Sequence, residues 1–206
     1  MYSSANYVLF VNYEDFFKAI SDTIDKNTDT SLTFFSGYDC DSLAFEKITG
    51  FAEKALEFFT NFSSVELELR TKSIVSETLL KRSPISNCIV AYSLSPSNLA
   101  GVLDNKAPSI ERRVNALKTL AKNGWTVGLR FDPLIYCSGW ENLYSELIQD
   151  IFTDINIDKV HSVSHGPLRF PKEMYKKITS LYPDDKLFSF PMETKGGIVS
   201  YGTDIE

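Results

Sequence analysis

Several short apolar runs of this sequence end in polar side chains that could bind a ligand. Asp41 lies in the loop after the second run, Lys72 follows the third, and Ser93 and Ser95 follow the fourth. An ammonium group beside hydroxyls can hold a carboxylate or a phosphate, and a carboxylate can accept hydrogen bonds from an amine or a ribose hydroxyl. These residues indicate a site for a small charged ligand. Each can equally be a helix cap or a turn residue, and Asp41 followed by Ser42 is typical of an N-cap.

Two histidines could support a different chemistry. His161 and His165 are four residues apart, a spacing that suits a metal pair on a helix, but here they fall on an expected strand and the loop after it. Asp132 and His165 could act as acid and base in an unrelated α/β enzyme if they lay within hydrogen-bond reach. Cys40, Cys88 and Cys137 are isolated and form no CxxC-type knuckle, so no metal site is predicted.

The elements that must position these residues alternate along the chain. The expected strands cover residues 7–11, 32–35, 65–69, 88–92, 125–131 and 160–164, with amphipathic helices between them and a last helix at about 172–181. Strands separated by helical crossovers pair in parallel, and ligands then gather outside the carboxyl ends of the strands. The strict alternation of residues 65–69 also predicts that one face of that strand is polar or lines a lumen.

The composition is typical of one ordinary globular domain. The chain has 206 residues, 43% of them hydrophobic, and a net charge of −6 from 21 Lys+Arg and 27 Asp+Glu. No apolar run approaches the roughly 18 residues that a membrane span needs, and no signal segment opens the sequence, so we expect a cytoplasmic protein with no membrane partner. The acidic balance argues against binding nucleic acid mainly by long-range charge. One candidate basic surface, which is more often a solvated helix face, comprises Arg112, Arg113, Lys118 and Lys122.

A series of short blocks, in order and in register over nearly the whole chain, resembles the spore photoproduct lyase family of radical S-adenosylmethionine enzymes. The blocks are YVLFVN at 7–12, DSLA at 41–44, LEFF at 56–59, LRTKS at 69–73, AYSLSP at 91–96, GLRFDPLIY at 128–136, GW at 139–140 and GPLRFP at 166–171.

This resemblance implies an α/β fold, a partial parallel (β/α)6 barrel of radical SAM type, holding S-adenosylmethionine and a 4Fe–4S cluster at its mouth. In the family, one electron from the cluster cleaves the cofactor to a 5′-deoxyadenosyl radical, which abstracts hydrogen from a cross-linked thymine pair. The resemblance therefore implies two partners, DNA carrying a thymine photoproduct and an electron donor protein.

The chain departs from the family in its cysteines. The cluster needs three thiolates on one CxxxCxxC loop, and no such loop occurs in these 206 residues. In the family that loop lies just upstream of the block that opens this chain, so we expect a barrel that is N-terminally truncated and lacks its cluster segment. The expected organisation is a barrel domain over residues 1–183 and a C-terminal tail over 184–206, either in the same domain or loosely packed.

The family's site residues carry over as follows. Lys72 matches the family residue that binds the carboxylate of S-adenosylmethionine. Ser93 and Ser95 match positions near the carboxylate and the ribose, and Asp41 lines the same mouth. The family's hydrogen-donating cysteine aligns with Tyr38, and Cys40 lies two residues later on the same loop.

Two main hypotheses follow. The first is a spore-photoproduct-lyase-like carbon–carbon lyase that repairs DNA, with Cys40 or Tyr38 as catalytic residue. The second is a non-catalytic binding or remnant α/β domain without redox chemistry.

Overall fold

The computed structural model describes residues 8–37 and 40–202. In this part of the chain five parallel strands form one sheet in the order β1-β2-β3-β4-β5. They are β1 (Leu32–Ser36), β2 (Val65–Thr71), β3 (Cys88–Ser93), β4 (Thr126–Leu134) and β5 (Val160–Pro167). Because the spatial order follows the order in the chain, each connection carries the chain to the adjacent strand.

Helices connect the strands and cover one face of the sheet. They are α1 (Tyr13–Lys26), α2 (Glu46–Thr49), α3 (Phe51–Phe59), α4 (Glu77–Leu80), α5 (Ser97–Leu103), α6 (Ile110–Lys122), α7 (Trp140–Thr153) and, after the sheet, α8 (Lys172–Leu181). Leu69, Val90 and Leu129 of the strands lie in one buried cluster with Phe59 of α3 and Leu117 of α6. Burial of each such side chain stabilises the folded state by about 1.5–3 kcal/mol, because its apolar surface leaves water. This burial holds the sheet against its helices.

The opposite face of the sheet is polar and concave. Glu66 and Glu68 alternate with Leu67 and Leu69, and only the leucines belong to the core cluster on the helix side. His161 of β5 reaches Glu66 of β2, with 3.3 Å between Nε2 and Oε1. In a flat sheet those two backbones would lie about 14 Å apart, so the contact reflects the curvature of a half-barrel. The polar lumen predicted from residues 65–69 is therefore present.

The fold class is confirmed as an α/β partial barrel, but residues 8–37 and 40–202 contain five parallel strands where six were predicted. Of the expected first strand, Tyr7 lies outside the described residues, and residues 8–11 have no regular secondary structure. Their apolar side chains are exposed, from 53% at Leu9 to 76% at Val11. The physical reason is that these residues pair with no described strand, although the second edge of β1 is open, so no ladder of hydrogen bonds satisfies their backbone groups.

Helix boundaries also differ from the expectation. The amphipathic helix expected between the second and third predicted strands is divided into α2 and α3 at Gly50, which has a left-handed φ of 56°. Between the next two strands only the short α4 forms, and the connection from β3 to β4 contains two helices, α5 and α6. None of the helices in residues 8–37 and 40–202 is long and apolar enough to cross a bilayer.

The C-terminal residues add a small antiparallel sheet. Strands β6 (Arg169–Pro171), β7 (Met192–Lys195) and β8 (Ile198–Tyr201) pair in the order β6-β8-β7. Tyr201 is buried with Ile135, Tyr136 and Leu168 in a second apolar cluster. This sheet packs next to the residues that follow β4, because Ile135 and Tyr136 directly follow that strand.

One buried carboxylate sets the start of α3. Glu46 is 4% exposed, and its two oxygens accept hydrogen bonds from the N–H groups of Ala52, at 2.7 Å, and Glu53, at 3.0 Å. These N–H groups belong to the first turn of the helix, where no intrahelical acceptor is available. A carboxylate at this end also interacts favourably with the helix dipole.

We expect Glu46→Ala to lower the free energy of unfolding by about 1–3 kcal/mol, because it leaves buried donors without acceptors. Urea denaturation followed by circular dichroism measures the change. Glu53→Ala is the matched control, since Glu53 is exposed in the same turn, and it should change stability by less than about 0.5 kcal/mol. Equal effects of the two substitutions would contradict the capping role of Glu46.

Candidate functional site

The carboxyl ends of the parallel strands lie side by side. The register pairs Thr71 with Tyr92, Ser93 with Arg130, and Arg130 with Ser164. We call this edge of the sheet the mouth, and define it as the ends of β1 to β5 with the residues that directly follow each of them. As the parallel arrangement predicts, the polar strand-end residues are gathered on one side of the molecule.

Asp41 joins the loop after β1 to the end of β2. Its Oδ1 accepts hydrogen bonds from the N–H groups of Leu43 and Ala44, at 2.9 and 2.8 Å, and from Thr71 Oγ1 at 2.7 Å. Its Oδ2 accepts a hydrogen bond from the Lys72 N–H at 2.6 Å. The carboxylate therefore caps the turn, as an Asp-Ser pair suggests, and also positions the backbone of Lys72.

The same loop lies directly over β2. The Ser42 N–H donates to the Arg70 carbonyl at 3.0 Å, and Gly37 has a φ of +86°. A Cβ atom at Gly37 would lie 2.6 Å from the Arg70 carbonyl oxygen and 2.7 Å from Ser42 Oγ. Glycine is required here both for the left-handed backbone and for the close approach.

The side chain of Lys72 enters a buried ionic network. Lys72 Nζ contacts Asp104 Oδ1, and the other carboxylate oxygen, Oδ2, lies 2.7 Å from Arg113 Nη1. Lys72 is 44% exposed, Asp104 is 12% exposed and Arg113 is 1% exposed, so the network runs from the solvent at the mouth into the core. Asp104 directly follows α5, and Arg113 lies on α6.

Arg113 extends this network to β3. Its Nη1 also donates to the Ser93 carbonyl at 3.2 Å, and its Nε donates to the Pro108 carbonyl at 2.9 Å. Ser95 lies two residues beyond Ser93, half-buried, on the segment that leaves the sheet. Of the four predicted cofactor-binding residues, Asp41, Lys72 and Ser93 are thus joined through a chain of direct contacts, and Ser95 follows close behind in sequence.

The electrostatics of Asp104 follow from its two partners. Burial acts to raise the pKa of this carboxyl, but the hydrogen bonds and positive charges of Lys72 and Arg113 outweigh burial and lower the pKa below its ordinary value. Asp104 is therefore ionised at neutral pH. The group of three carries a net charge of +1, which the Asp41 carboxylate on the Lys72 N–H balances, so the positive charge offered to an anionic ligand is that of the Lys72 ammonium itself.

The predicted catalytic positions lie on the loop after β1. Cys40 is exposed beside Asp41, whereas Tyr38 lies outside the described residues. The other two thiols differ in their position along the strands. Cys88 is fully buried at the start of β3, the opposite end of that strand, and burial raises the pKa of its thiol to about 12. Cys137 is half-buried beyond β4.

The floor of the concave face holds a second buried ion pair. Arg130 Nη2 of β4 lies 2.5 Å from Glu68 Oε2 of β2, and the two side chains are 5% and 3% exposed. Arg70 also approaches Glu68, at 3.1 Å, and Arg130 donates to Ser162 Oγ of β5 at 3.0 Å. Gly128 makes room for this arrangement, because a Cβ atom there would lie 2.8 Å from Arg130 Nη2.

Two alternative sequence interpretations do not match the structure. In the register His165 pairs with Phe131, which packs into the helix-side core, whereas Asp132 accepts a hydrogen bond from Ser164 at 2.6 Å on the concave face. The two proposed acid and base groups therefore emerge on opposite faces of the sheet. His161 contacts Glu66, and within the described ranges no group of three His, Cys, Asp or Glu side chains could hold a metal ion.

The candidate basic surface on α6 does not form. Arg113 is buried in the ionic network, and Lys118 lies 3.1 Å from Asp150 of α7. Helical periodicity could not separate Arg113 from its exposed neighbour Arg112, since both are arginines in a mixed segment. Asp104 could not be identified from the sequence for a related reason. It follows a helix that the sequence pattern did not predict, and it does not lie at the end of a strand.

We expect Glu68→Leu to lower the free energy of unfolding by about 3–5 kcal/mol, because it leaves the buried Arg130 guanidinium without its carboxylate. The double substitution Glu68→Leu/Arg130→Met removes both charges and should recover most of that loss. Guanidinium chloride denaturation of the two variants checks the difference. A double variant no more stable than the single one would contradict the pairing.

A second prediction concerns pH. Because the pKa of Asp104 is lower in the folded state than in the unfolded state, the unfolded chain binds a proton first as the pH falls. The stability that Asp104 contributes is therefore full above the ordinary carboxyl range and is lost as the pH falls through its folded pKa. The difference in free energy of unfolding between the wild type and Asp104→Asn should shrink from about pH 7 to about pH 3. A difference independent of pH would refute the ion pairs as its source.

Comparison with known proteins gives a consistent assignment. The family model for spore photoproduct lyase matches residues 2–203. A spore photoproduct lyase of Clostridium acetobutylicum is 21% identical over 194 residues, covering 93% of this chain and 56% of that protein. The enzyme of Bacillus subtilis is also 21% identical, over 180 residues that cover 86% of this chain and 53% of that protein. The chain thus spans about half the length of the curated relatives that it matches.

Solved structures share the fold. A spore photoproduct lyase double mutant with bound AdoMet and dinucleoside spore photoproduct has a TM-score of 0.81 at 20% identity, over 96% of this chain and 60% of that one. A spore photoproduct lyase complexed with dinucleoside spore photoproduct has a TM-score of 0.79 at 20% identity, over 96% and 61%. With the family model matching nearly every residue, this chain belongs to the spore photoproduct lyase family.

Proposed function

We propose that this chain provides the cofactor-binding mouth of a radical S-adenosylmethionine enzyme that repairs a thymine photoproduct in DNA. The observation that carries this proposal is the placement of Lys72 at the mouth, where Asp41 binds its backbone N–H and Asp104 contacts its partly exposed ammonium group. It is supported by the likeness of the fold to a spore photoproduct lyase with bound AdoMet and dinucleoside spore photoproduct.

The residues at the mouth fit the amino-acid end of S-adenosylmethionine. The Lys72 ammonium has three donors, and Asp104 accepts from one of them, so two are available to a ligand carboxylate. Ser93 ends the adjacent strand β3, Ser95 lies two residues beyond it, and both would approach the carboxylate and the ribose. Asp41 uses both carboxylate oxygens within the protein, so we assign it the positioning of Lys72 rather than direct contact with the ligand.

S-adenosylmethionine, when bound and reduced, would supply the radical that removes hydrogen from the lesion. The contribution of this chain would be to bind, orient and shield the reactants. We assign to the exposed Cys40 the role of hydrogen-atom donor to the repaired base, in which its S–H bond breaks and a C–H bond forms. Tyr38, the aligned position, is the alternative on the same loop.

The residues present do not fit a 4Fe–4S cluster. Cys88 is buried at the far end of β3 with its pKa raised, and the three cysteines share no loop. Fe–S clusters are held by thiolates, so the cluster forms no part of the role that we assign to these residues. The electron donor protein that the family resemblance implies would act on that cluster, and we therefore assign it no contact here.

A second candidate function is a binding domain without redox chemistry. The observation that favours it is the absence of any CxxxCxxC loop from the 206 residues. Such a domain would keep the Lys72 mouth and the polar concave face, and would bind an adenosyl ligand or a nucleotide lesion without converting it.

The proposal predicts that the chain binds S-adenosylhomocysteine, a stable analogue with the same amino-acid end. Lys72→Met should weaken this binding about 10-fold or more, because it removes a charge-assisted hydrogen bond to the ligand carboxylate. Isothermal titration calorimetry measures both dissociation constants. Lys81→Met is the matched control, since Lys81 is exposed away from the mouth, and it should leave the affinity unchanged.

A turnover assay separates the two candidate functions. S-adenosylmethionine, a reduced cluster-bearing protein without lyase activity of its own and a dinucleoside spore photoproduct should yield free thymidine units only if the added chain takes part in catalysis. Binding without conversion supports the second candidate. A wild-type chain that does not bind S-adenosylhomocysteine would refute the proposed cofactor mouth.

A further inference from the structure

The ammonium group of Lys72 is held by residues from a different part of the fold. Asp104 and Arg113 both belong to the unit formed by α5, the loop after it and α6, whereas Lys72 directly follows β2. Asp104 Oδ1 contacts Lys72 Nζ, and Asp104 Oδ2 lies 2.7 Å from Arg113 Nη1. This carboxylate is thus the bridge between a buried guanidinium and an exposed ammonium.

Arg113 fixes the position of Asp104. The arginine side chain is 1% exposed and donates to the carbonyls of Pro108 and Ser93 as well as to Asp104. A planar guanidinium with several bonds holds its carboxylate partner in one orientation more firmly than a flexible lysine can. Within the described residues Arg113 Nη2 has no hydrogen-bond partner, so the guanidinium has no second carboxylate that could compete with Asp104.

The consequence for Lys72 is a fixed direction at the mouth. A lysine side chain has four rotatable carbons and normally loses much rotamer freedom when it binds a ligand. Here Asp41 binds its backbone N–H and Asp104 binds its ammonium, so both ends are already held. Preorganisation of this kind raises affinity by lowering the entropy lost on binding.

We propose that Asp104 is a positioning residue that aims Lys72 at the carboxylate of the ligand, and so makes the mouth selective for adenosyl amino acids over adenosyl compounds without a carboxylate. This inference rests on the proposed function of the mouth. The opposite role, in which Asp104 competes with the ligand for Lys72, is disfavoured because the ammonium keeps two further donors and because Arg113 shares the charge of the Asp104 carboxylate.

The test compares two ligands on the same protein. S-adenosylhomocysteine carries the amino-acid end, and 5′-methylthioadenosine lacks it. The dissociation constant of 5′-methylthioadenosine divided by that of S-adenosylhomocysteine therefore measures how strongly the mouth recognises the carboxylate end. Asp104→Asn should reduce this ratio about 10-fold while leaving the affinity for 5′-methylthioadenosine within about twofold. Isothermal titration calorimetry provides both constants, without a cluster and without turnover.

A double-mutant cycle shows whether Asp104 acts through Lys72. In a Lys72→Met background, Asp104→Asn should cause no further change in the ratio, because the group that it positions is gone. Asp150→Asn is the matched control, since Asp150 pairs with Lys118 far along α6, and it should leave the ratio unchanged. Should thermal unfolding reveal that Asp104→Asn does not fold, Asp104→Asn/Arg113→Met removes both buried charges and is assayed instead.

The outcomes are separable. An unchanged ratio, tighter binding of S-adenosylhomocysteine, or an effect of Asp104→Asn that persists in the Lys72→Met background would each overturn the positioning role. In those three cases wild-type binding leaves the proposed cofactor mouth standing. Failure of the wild-type chain to bind S-adenosylhomocysteine would instead overturn the proposed function and this inference with it.

Discussion

Lys72 is held at both ends by carboxylates, and the arrangement of the mouth depends on this constraint. Asp41 accepts the backbone N–H of Lys72 at 2.6 Å, and Asp104 accepts from its ammonium group. The first carboxylate belongs to the loop after β1 and the second follows α5, so two connections that are distant in sequence meet at the end of β2. Parallel strands bring their ends to one edge, but the side chains there are ordered by these contacts.

The fold and half of the candidate site could be predicted because they depend on local pattern. Alternation in residues 65–69 correctly indicated a strand with one polar face, and the strand ends correctly gathered Asp41, Lys72 and Ser93. Asp104 and Arg113 could not be found in this way. A charged residue in a helix has the same periodicity whether it faces water or a buried partner, and only the packing of α6 against the sheet decides that Arg113 is 1% exposed.

The apolar residues 8–11 illustrate the opposite failure. Their pattern is typical of a strand, yet a strand exists only where a neighbour satisfies its backbone groups. Among the described residues they pair with no strand, and the second edge of β1 stays open. Sequence periodicity describes which face of a segment is apolar. It does not show whether another strand pairs with the segment. For a segment next to the edge of a sheet, periodicity therefore cannot predict whether the segment joins that sheet.

The charge distribution reconciles an acidic chain with an anionic ligand. Whole-chain charge is −6, but the exposed end of the network of Lys72, Asp104 and Arg113 at the mouth is the ammonium group of Lys72. A buried ion pair contributes little net stability, because the loss of hydration offsets most of the attraction between the charges. Its main effect is geometric, since the partners hold one another in a single orientation. For Lys72 that orientation is toward the mouth, so the network is better explained by the direction that it imposes on one ammonium group than by the stability that it adds.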